Sequence, residues 1–580
     1  MTLIIDALPL TLGHLFCGGV KMRIMSQPGG KAKAVASSAL VLLVWGFFLV
    51  RAISVFAPDS VYVQPFNSDS ALPVLMSNDA RIDAFRTYIY GQDQVGAWPS
   101  LICQLARRAT GHVWTPQQIH FMQATWLFLS VFLIVALTRS DSYLNAALFL
   151  LTLCLQPTVS HYYFVLNQRF AWQTTALFLG WWAVRRTCEY GFGVMAASRG
   201  KRGLWHLLSL FFAFLAAWTS PSSVPILCVF FALECVRARV LSLHSQNSKP
   251  RLSLANFAGA LPLVAGFAAH QLLKANYHRH ALKHYGQDYH TPVEFDWGFL
   301  RVNLQNQLHN LGDFSWHALI LLGVFAAPFV AFQLLRRLRR GSPEAQRPDE
   351  GATRARLDLG VLLLGSCAVA VINFVTACAF SWMRLNAYGA RYLALTYMFG
   401  TFAGLLTLAW LIALPKKFNA ARRFVFPLLT AACVVLLALK FPPVEREPSY
   451  QQMSDVAADL SRLAPPGTPL LGGYWDTYAL AALQTNATVI PVPAQDQLVR
   501  TPWTPTRLRQ AGQVLVVHHV FSSPGGAERV SAYTTFGDGQ NPPAVLRQHG
   551  ATLHLLTPRW HERHGYIFSL YRNLDATGGQ

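Results

Sequence analysis

Long apolar stretches recur along this chain at short intervals, at 36–56, 118–137, 143–158, 169–184, 203–219, 223–236, 253–273, 315–335, 357–380, 392–414 and 423–440. Crossing the roughly 30 Å hydrocarbon core of a bilayer takes about 20 residues of helix, so the spacing predicts about eleven transmembrane helices. The pieces at 143–158, 169–184 and 223–236 are short, which leaves their ends the least defined. Of the 580 residues, 53% are hydrophobic and 13% charged, about half the charged share of a soluble protein. A soluble fold is thereby excluded for most of the chain.

The net charge of +21 invites a nucleic-acid reading, and position argues against it. Alternate loops carry the cations: Lys21, Arg23, Lys31 and Lys33; Arg139; Arg185, Arg186, Arg199, Lys201 and Arg202; Arg237, Arg239, Lys249 and Arg251. Later loops repeat the pattern with Arg336, Arg337, Arg339, Arg340, Arg347, Arg354 and Arg356, then Lys416, Lys417, Arg422 and Arg423. Such alternation marks cytoplasmic loops. It predicts an inner (plasma) membrane protein with a cytoplasmic N-terminus and, after an odd number of spans, an exported C-terminus. The first 20 residues are apolar but carry Asp6 and His14 and no clear cleavage site, so they read as an upstream extension rather than a signal peptide.

The expected organisation is a cytoplasmic segment 1–35, a mainly α transmembrane domain 36–440 and a soluble extracytoplasmic α/β domain 441–580. The transmembrane domain has two long exported loops, 57–117 and 274–314. In the first, SALPVLMSNDARIDAFRTYIYG places Leu72, Leu75, Met76, Ile82 and Phe85 at roughly helical spacing, with Asp79, Asp83 and Arg86 between them as a polar face. AWPSLICQLARRATG then reads as a helix with Pro99 near its start and a stop before Gly111. In the C-terminal segment, PLLGGYWDTYALAAL, ATVIPV and QVLVVHHVF read as buried strands alternating with helices such as 451–463.

The residues after the first span, QPFNSDSALPVLMSNDARIDAF and then GQDQVGAWPSL, carry a resemblance. A carboxylate just outside the first membrane helix, followed by surface-lying helices and a Gly/Trp/Pro-bearing turn, resembles the GT-C superfamily of polyprenyl-phosphate-sugar glycosyltransferases. Protein O-mannosyltransferases and lipid A aminoarabinose transferases are members. The Arg-Tyr-Leu of NAYGARYLALTYMFG, opening a late span, is similar to the RYLLP-type sequences of that superfamily. Where several member families have an adjacent acidic pair, this chain has Asn67-Ser68-Asp69.

The resemblance implies inverting transfer of a sugar from a polyprenyl-phosphate donor to an envelope glycan, lipid or protein, on the extracytoplasmic face. No cofactor is required by it, a divalent metal is allowed, and nucleic acid has no part. A carboxylate within hydrogen-bond reach of the acceptor hydroxyl can act as general base. Asp69 is the first candidate, a helix N-cap being its structural alternative. Asp93, in GQDQVG, is the second, for acceptor or metal, against a solvated turn. For the leaving phosphate, guanidinium groups suit oxyanions, and Arg391, then Arg384 and Arg169, sit at exported membrane edges where cations are depleted. Snorkelling to lipid headgroups is their alternative role.

The stretch NYHRHALKHYGQDYH holds His278, His280, His284 and His290, which suits either a metal or, preferably, a substrate-gating loop whose Tyr277, Tyr285 and Tyr289 could stack on sugar. Trp475 and Asp476 in GGYWDTY suit a carbohydrate contact or a packed strand-to-helix corner. GxxxxGK[ST], GxSxG and HExxH are absent. The rival readings are a flippase of lipid-linked sugars, against which stand the lack of mid-membrane ionisable residues and of two related halves, and an envelope-polysaccharide polymerase or ligase.

Overall fold

The computed structural model describes residues 68–79, 81–90, 95–137, 142–155, 170–195, 198–245, 258–286, 297–339, 350–379, 390–412, 450–484, 488–495, 499–522, 528–530 and 541–576. It opens on α1 (Ser68–Ser77), a 3-10 turn at Ala84–Thr87 and α2 (Trp98–Thr110). A helical bundle follows: α3 (Pro116–Leu137), α4 (Ser142–Leu155), α5 (Phe170–Gly191), α6 (Arg199–Thr219), α7 (Ser223–Ser245) and α8 (Ala260–Tyr285). It continues through α9 (Trp297–Gly312), α10 (His317–Arg339), α11 (Glu350–Ala379), a second 3-10 turn (Ala390–Leu393) and α12 (Ala394–Ile412). Nine of the predicted spans coincide with α3 to α8 and α10 to α12, while 36–56 and 423–440 lie outside the described residues. By length and apolar composition, His317–Arg336 in α10 and Arg356–Ala379 in α11 qualify on their own as membrane-crossing.

Two sequence expectations change here. Segment 274–314 is helical, not an irregular loop: α8 runs on to Tyr285, stops at Gly286 with a left-handed φ of 64°, and α9 follows. Several helices also outrun their apolar stretches, because the charges that ended those stretches are paired inside the bundle. Arg185, Glu189, Glu234, Arg237 and Asp358 are all at most 2% exposed. Arg237 Nε donates to Asp358 Oδ1 at 2.6 Å and its NH1 to Glu189 Oε1 at 3.0 Å. Arg185 Nε donates to Glu234 Oε1 at 2.8 Å, and Trp181 Nε1 reaches the same oxygen at 2.7 Å. Arg186 and Arg354 close on Glu189 from the rim. Thus Arg185 and Arg237, read from sequence as loop cations, tie α5, α7 and α11 together.

Elsewhere the helices meet backbone to backbone. A Cβ on Gly404 in α12 would lie 2.1 Å from the Leu319 carbonyl oxygen of α10, and one on Gly323 would meet Ala403 and Gly404. Small residues at a crossing are what let helices approach where dispersion, rather than water exclusion, holds them together.

The C-terminal region is α/β, as its sequence predicts. It comprises α13 (Tyr450–Leu463), β1 (Thr468–Gly472), α14 (Tyr474–Ala482), β2 (Val489–Pro493), α15 (Thr504–Gln510) and β3 (Gln513–Ser522). β4 (Glu528–Val530), β5 (Val545–Gln548), β6 (Ala551–Arg563) and β7 (Tyr566–Asn573) complete it. The sheet order is β2-β1-β3-β7-β6-β5, with β4 beside β3. β2, β1 and β3 are parallel and the rest antiparallel. Two His-Gly pairs make the hairpins: His549-Gly550 (φ 48° and 75°) and His564-Gly565 (φ 50° and 80°). Two successive left-handed residues are what a tight type I′ turn requires.

Replacing Arg237 by Leu would leave three buried carboxylates facing one fully buried guanidinium. Removing one partner of a buried ion pair costs roughly 3–5 kcal/mol, so Arg237→Leu lowers the thermal midpoint of the detergent-solubilised protein. The double change Arg237→Leu with Asp358→Leu recovers part of that loss; a midpoint unchanged by the single substitution removes the network from the bundle's stability.

Candidate functional site

The segment between α1 and α3 is fastened on three sides. Asn78 holds the chain before α3 by a reciprocal pair, its Nδ2 donating to Trp114 O at 2.8 Å and its Oδ1 accepting from Trp114 N at 2.9 Å. The Gly/Trp/Pro turn docks on the end of α6: Trp98 Nε1 donates to Thr219 Oγ1 at 2.9 Å and Trp218 Nε1 to Thr87 O at 2.8 Å. Gly96 pairs with Tyr88 in a β-bridge, and a Cβ there would lie 2.3 Å from the Trp218 carbonyl oxygen. Tyr88 OH lies 3.0 Å from His270 Nε2 of α8.

α1 ends at Ser77, so Asp79 and Asp83 are not a helix's polar face as the sequence spacing suggested. They converge on Arg86, itself 1% exposed. Arg86 Nε donates to Asp79 Oδ2 at 2.6 Å, its NH1 pairs with Asp83, and Tyr90 OH donates to Asp79 Oδ2 at 2.5 Å. The Arg86 guanidinium also sits 4.4 Å from the centroid of the Trp503 ring. Trp503 lies just before α15 in the C-terminal domain, and packs edge-on to Tyr90 and Phe85 at 5.2 and 6.0 Å. From α8, Tyr277 stacks on Phe85 at 5.4 Å and Tyr285 meets it edge-on at 5.1 Å. Three parts of the chain therefore enclose one charge cluster: the segment between α1 and α3, the end of α8 and the C-terminal domain.

The electrostatics follow from that enclosure. Burial opposes the charge on Arg86, yet Tyr90, Asp79 and Asp83 outweigh it and hold the guanidinium firmly protonated. Burial first, then the Asp79 carboxylate, pushes the Tyr90 hydroxyl well above its ordinary range. Asp79 and Asp83 keep 16% and 26% side-chain exposure, so each remains open to a ligand on one side. His280 Nε2 stands 4.0 Å from Asp83 Oδ2, and the His280 and His284 rings lie 4.2 Å apart. No group of three or more metal-ligating side chains converges among the described residues.

Of the residues singled out in sequence, Asp69 lies in the first turn of α1, inside the helix rather than capping it. α1 packs against both α2 and α14 of the C-terminal domain. Arg391 is on the 3-10 turn Ala390–Leu393, which packs on α9, α11 and α12 and is held by Asn373 Nδ2 donating to Tyr392 O at 3.1 Å. For Asp69 and Arg391 the described part is backbone; Asp93, Arg384, Arg169, Tyr289 and His290 lie outside the described residues. Asp476 is buried in the first turn of α14, its Oδ1 2.9 Å from His519 Nδ1, which makes it a strand-to-helix corner. Arg86 and Trp503 were missed. Arg86 carried the same signal as Arg391, a cation in an exported segment where cations are scarce; Trp503, set between prolines in TPWTP, carried none.

Replacing Arg86 by Met would leave Asp79 and Asp83 without their counter-charge. The expected cost is toward the low end of roughly 3–5 kcal/mol, since both carboxylates keep some water. It should be read as faster amide hydrogen exchange across 79–97, with Trp503→Ala giving a smaller change in the same peptides. The pH dependence has a definite sign. Folded Tyr90 holds its proton more tightly than an unfolded tyrosine, so its contribution is intact below about pH 10 and is lost as pH rises beyond that value. Exchange across 79–97 that accelerates above pH 10 no more in wild type than in Tyr90→Phe would contradict this assignment.

No known family profile and no curated protein matches the chain. Among solved structures it is similar to ArnT from Cupriavidus metallidurans bound to undecaprenyl phosphate, at 14% identity and TM-score 0.46, covering 95% of this chain and 99% of that one. The same enzyme in the apo state gives 13% identity, TM-score 0.37 and coverage of 95% and 100%. Archaeal oligosaccharyltransferase AglB from Archaeoglobus fulgidus, in complex with an inhibitory peptide and a dolichol-phosphate, gives 10% identity, TM-score 0.41 and coverage of 87% and 75%. The likeness is one of chain course alone: at these TM-scores it carries no argument about residues, substrate or reaction.

Proposed function

We propose that this chain is a multi-pass membrane glycosyltransferase of the GT-C type, transferring a sugar from a polyprenyl-phosphate donor to an envelope acceptor on the extracytoplasmic face. The observation that carries the reading is the packing of α14 of the C-terminal domain on α1, the helix with Asp69 in its first turn. A carboxylate-bearing exported segment is thereby enclosed between membrane helices and a second domain, as a transferase needs if it is to keep water from competing with its acceptor. In support of membrane insertion, apolar side chains stay exposed along the whole of α10, including Phe325 at 77% and Phe332 at 58%.

In the proposed reaction Asp69 takes the proton of the acceptor hydroxyl as its oxygen attacks the anomeric carbon. The bond from that carbon to the phosphate oxygen breaks with inversion, and the polyprenyl phosphate leaves with both electrons. Arg391, with Arg384 and Arg169, would bind that phosphate, and Asp93 the acceptor. The clamp of Asp79, Asp83 and Arg86 positions the segment.

One observation favours the flippase reading. Buried ionisable groups inside a helical bundle are typical of transporters, and Arg185, Glu234, Arg237 and Asp358 are such groups. Their mutual pairing, leaving no open binding face, fits a structural lock better.

The test is sugar transfer by the purified protein in liposomes with pooled native polyprenyl-phosphate sugars and envelope extract. Asp69→Asn should cut turnover by at least roughly 100-fold with donor binding retained, and Arg391→Ala should weaken donor binding as well. Sugar lipid crossing the bilayer without transfer, equally in wild type and Asp69→Asn, would favour the flippase.

A further inference from the structure

α9 has its polarity turned inside out. At roughly 100° per residue, Phe299, Asn303 and Gln307 share one face, and all three are buried, Asn303 and Gln307 completely. That inward face is polar because it serves the helices behind it. Asn303 Nδ2 donates to Ala377 O at 3.2 Å and Cys378 O at 2.5 Å, supplying two of the carbonyls that the end of α11 cannot pair within the helix. The Asn310 backbone carbonyl accepts from Tyr397 OH at 3.1 Å.

The rest of α9 is divided in two. Leu304 and Leu308, one turn apart, are 42% and 51% exposed. Arg301, Gln305 and His309 form an exposed polar strip beside them, with Val302, 44% exposed, on its far side. Arg301 is the one formally charged residue of the helix, which contains no acid. The chain then turns through Trp316, 43% exposed, into α10, whose outer face is Leu321, Phe325, Phe329 and Phe332, 44% to 77% exposed. The leucine stripe runs on into the membrane-crossing face of α10, and apolar area buried in this way is one of the two contributions that seat a helix in the interface of a bilayer, attraction of basic residues to anionic lipid being the other.

We propose that α9 is a membrane-surface helix, seated with Leu304 and Leu308 in the acyl layer and Arg301, Gln305 and His309 among the headgroups of an anionic phospholipid bilayer. The inference rests on the membrane reading above, in which 274–314 had been expected to be an exported loop. It makes α9 a strut between the bilayer surface and the 3-10 turn bearing Arg391, which packs on it.

The experiment is nitroxide labelling of the full chain in vesicles of phosphatidylethanolamine and phosphatidylglycerol, with reactive native cysteines replaced by serine. Labels go at Leu304→Cys, Leu308→Cys, Gln305→Cys and His309→Cys, and at Phe325→Cys as the membrane reference. Relaxation by oxygen, which partitions into lipid, is compared with relaxation by a water-soluble nickel chelate. Positions 304 and 308 should favour oxygen, as 325 does, and positions 305 and 309 the chelate. Chelate access at 304 and 308 with oxygen access at 325 overturns the seating of α9 and leaves the membrane reading standing; chelate access at all five overturns both. Oxygen access at 304 and 308 that appears only after adding polyprenyl phosphate would mean that the donor's chain, not the bilayer, covers the stripe, and would also overturn the proposal.

Discussion

An ionised side chain taken out of water has to find counter-charge within hydrogen-bond reach, and this chain meets that constraint in two places. Toward the far ends of α5 and α7, Arg185 and Arg237 are each shared between acids from different helices. In the segment between α1 and α3, Arg86 is shared between Asp79 and Asp83. Gln173 of α5 lies against Ser223 of α7 near the start of both helices, and Arg185 and Glu234 are eleven or twelve residues further along, about 17 Å away at 1.5 Å per residue. One cluster sets the relation of the helices to one another, the other the relation of the α1–α3 segment to what surrounds it.

The second cluster makes the C-terminal domain part of the candidate site. Trp503 lies over the Arg86 guanidinium, α14 lies along α1, and Tyr450 OH of α13 accepts from Gln117 Nε2 of α3 at 2.8 Å. A domain joined to the rest only by the chain would show no such contacts. The domain in turn has its own latch, in which Arg563 lowers the Asp459 carboxyl pKa, burial opposing and His561 assisting, and so holds α13 to the β6–β7 hairpin.

Much of the architecture was legible because hydrophobic periodicity is a local property. The apolar stretches located eight helices to within a turn at one end or both, with α8 displaced by more than a turn at each end, and β1, β2, β3 and α13 fell where the pattern placed them, although the strand read over PLLGGYWDTYALAAL gives way to α14 after Gly473. The antiparallel half of the sheet was not read, although QHGA and RHGY each carried a turn signal. The strong two-residue hairpin signals are Asn-Gly and Asp-Gly, so a His-Gly pair reads less readily as a hairpin. The site was legible only as a segment. Asp69 lies on α1, whereas the partners of Arg86 depend on a chain reversal that no periodicity reports.

Sequence by itself determined which stretches are helical and apolar, which loops are basic and that the C-terminal region is α/β, because each depends on residues close along the chain. Tertiary structure decided which charges are loop cations and which are buried partners, that 274–314 is helical with its polar face inward, and that Trp503 meets Arg86. Those outcomes depend on pairings between residues far apart along the chain, 49 positions for Arg185 with Glu234 and 121 for Arg237 with Asp358. Desolvation makes such pairings compulsory without specifying, in one dimension, which partner will satisfy them.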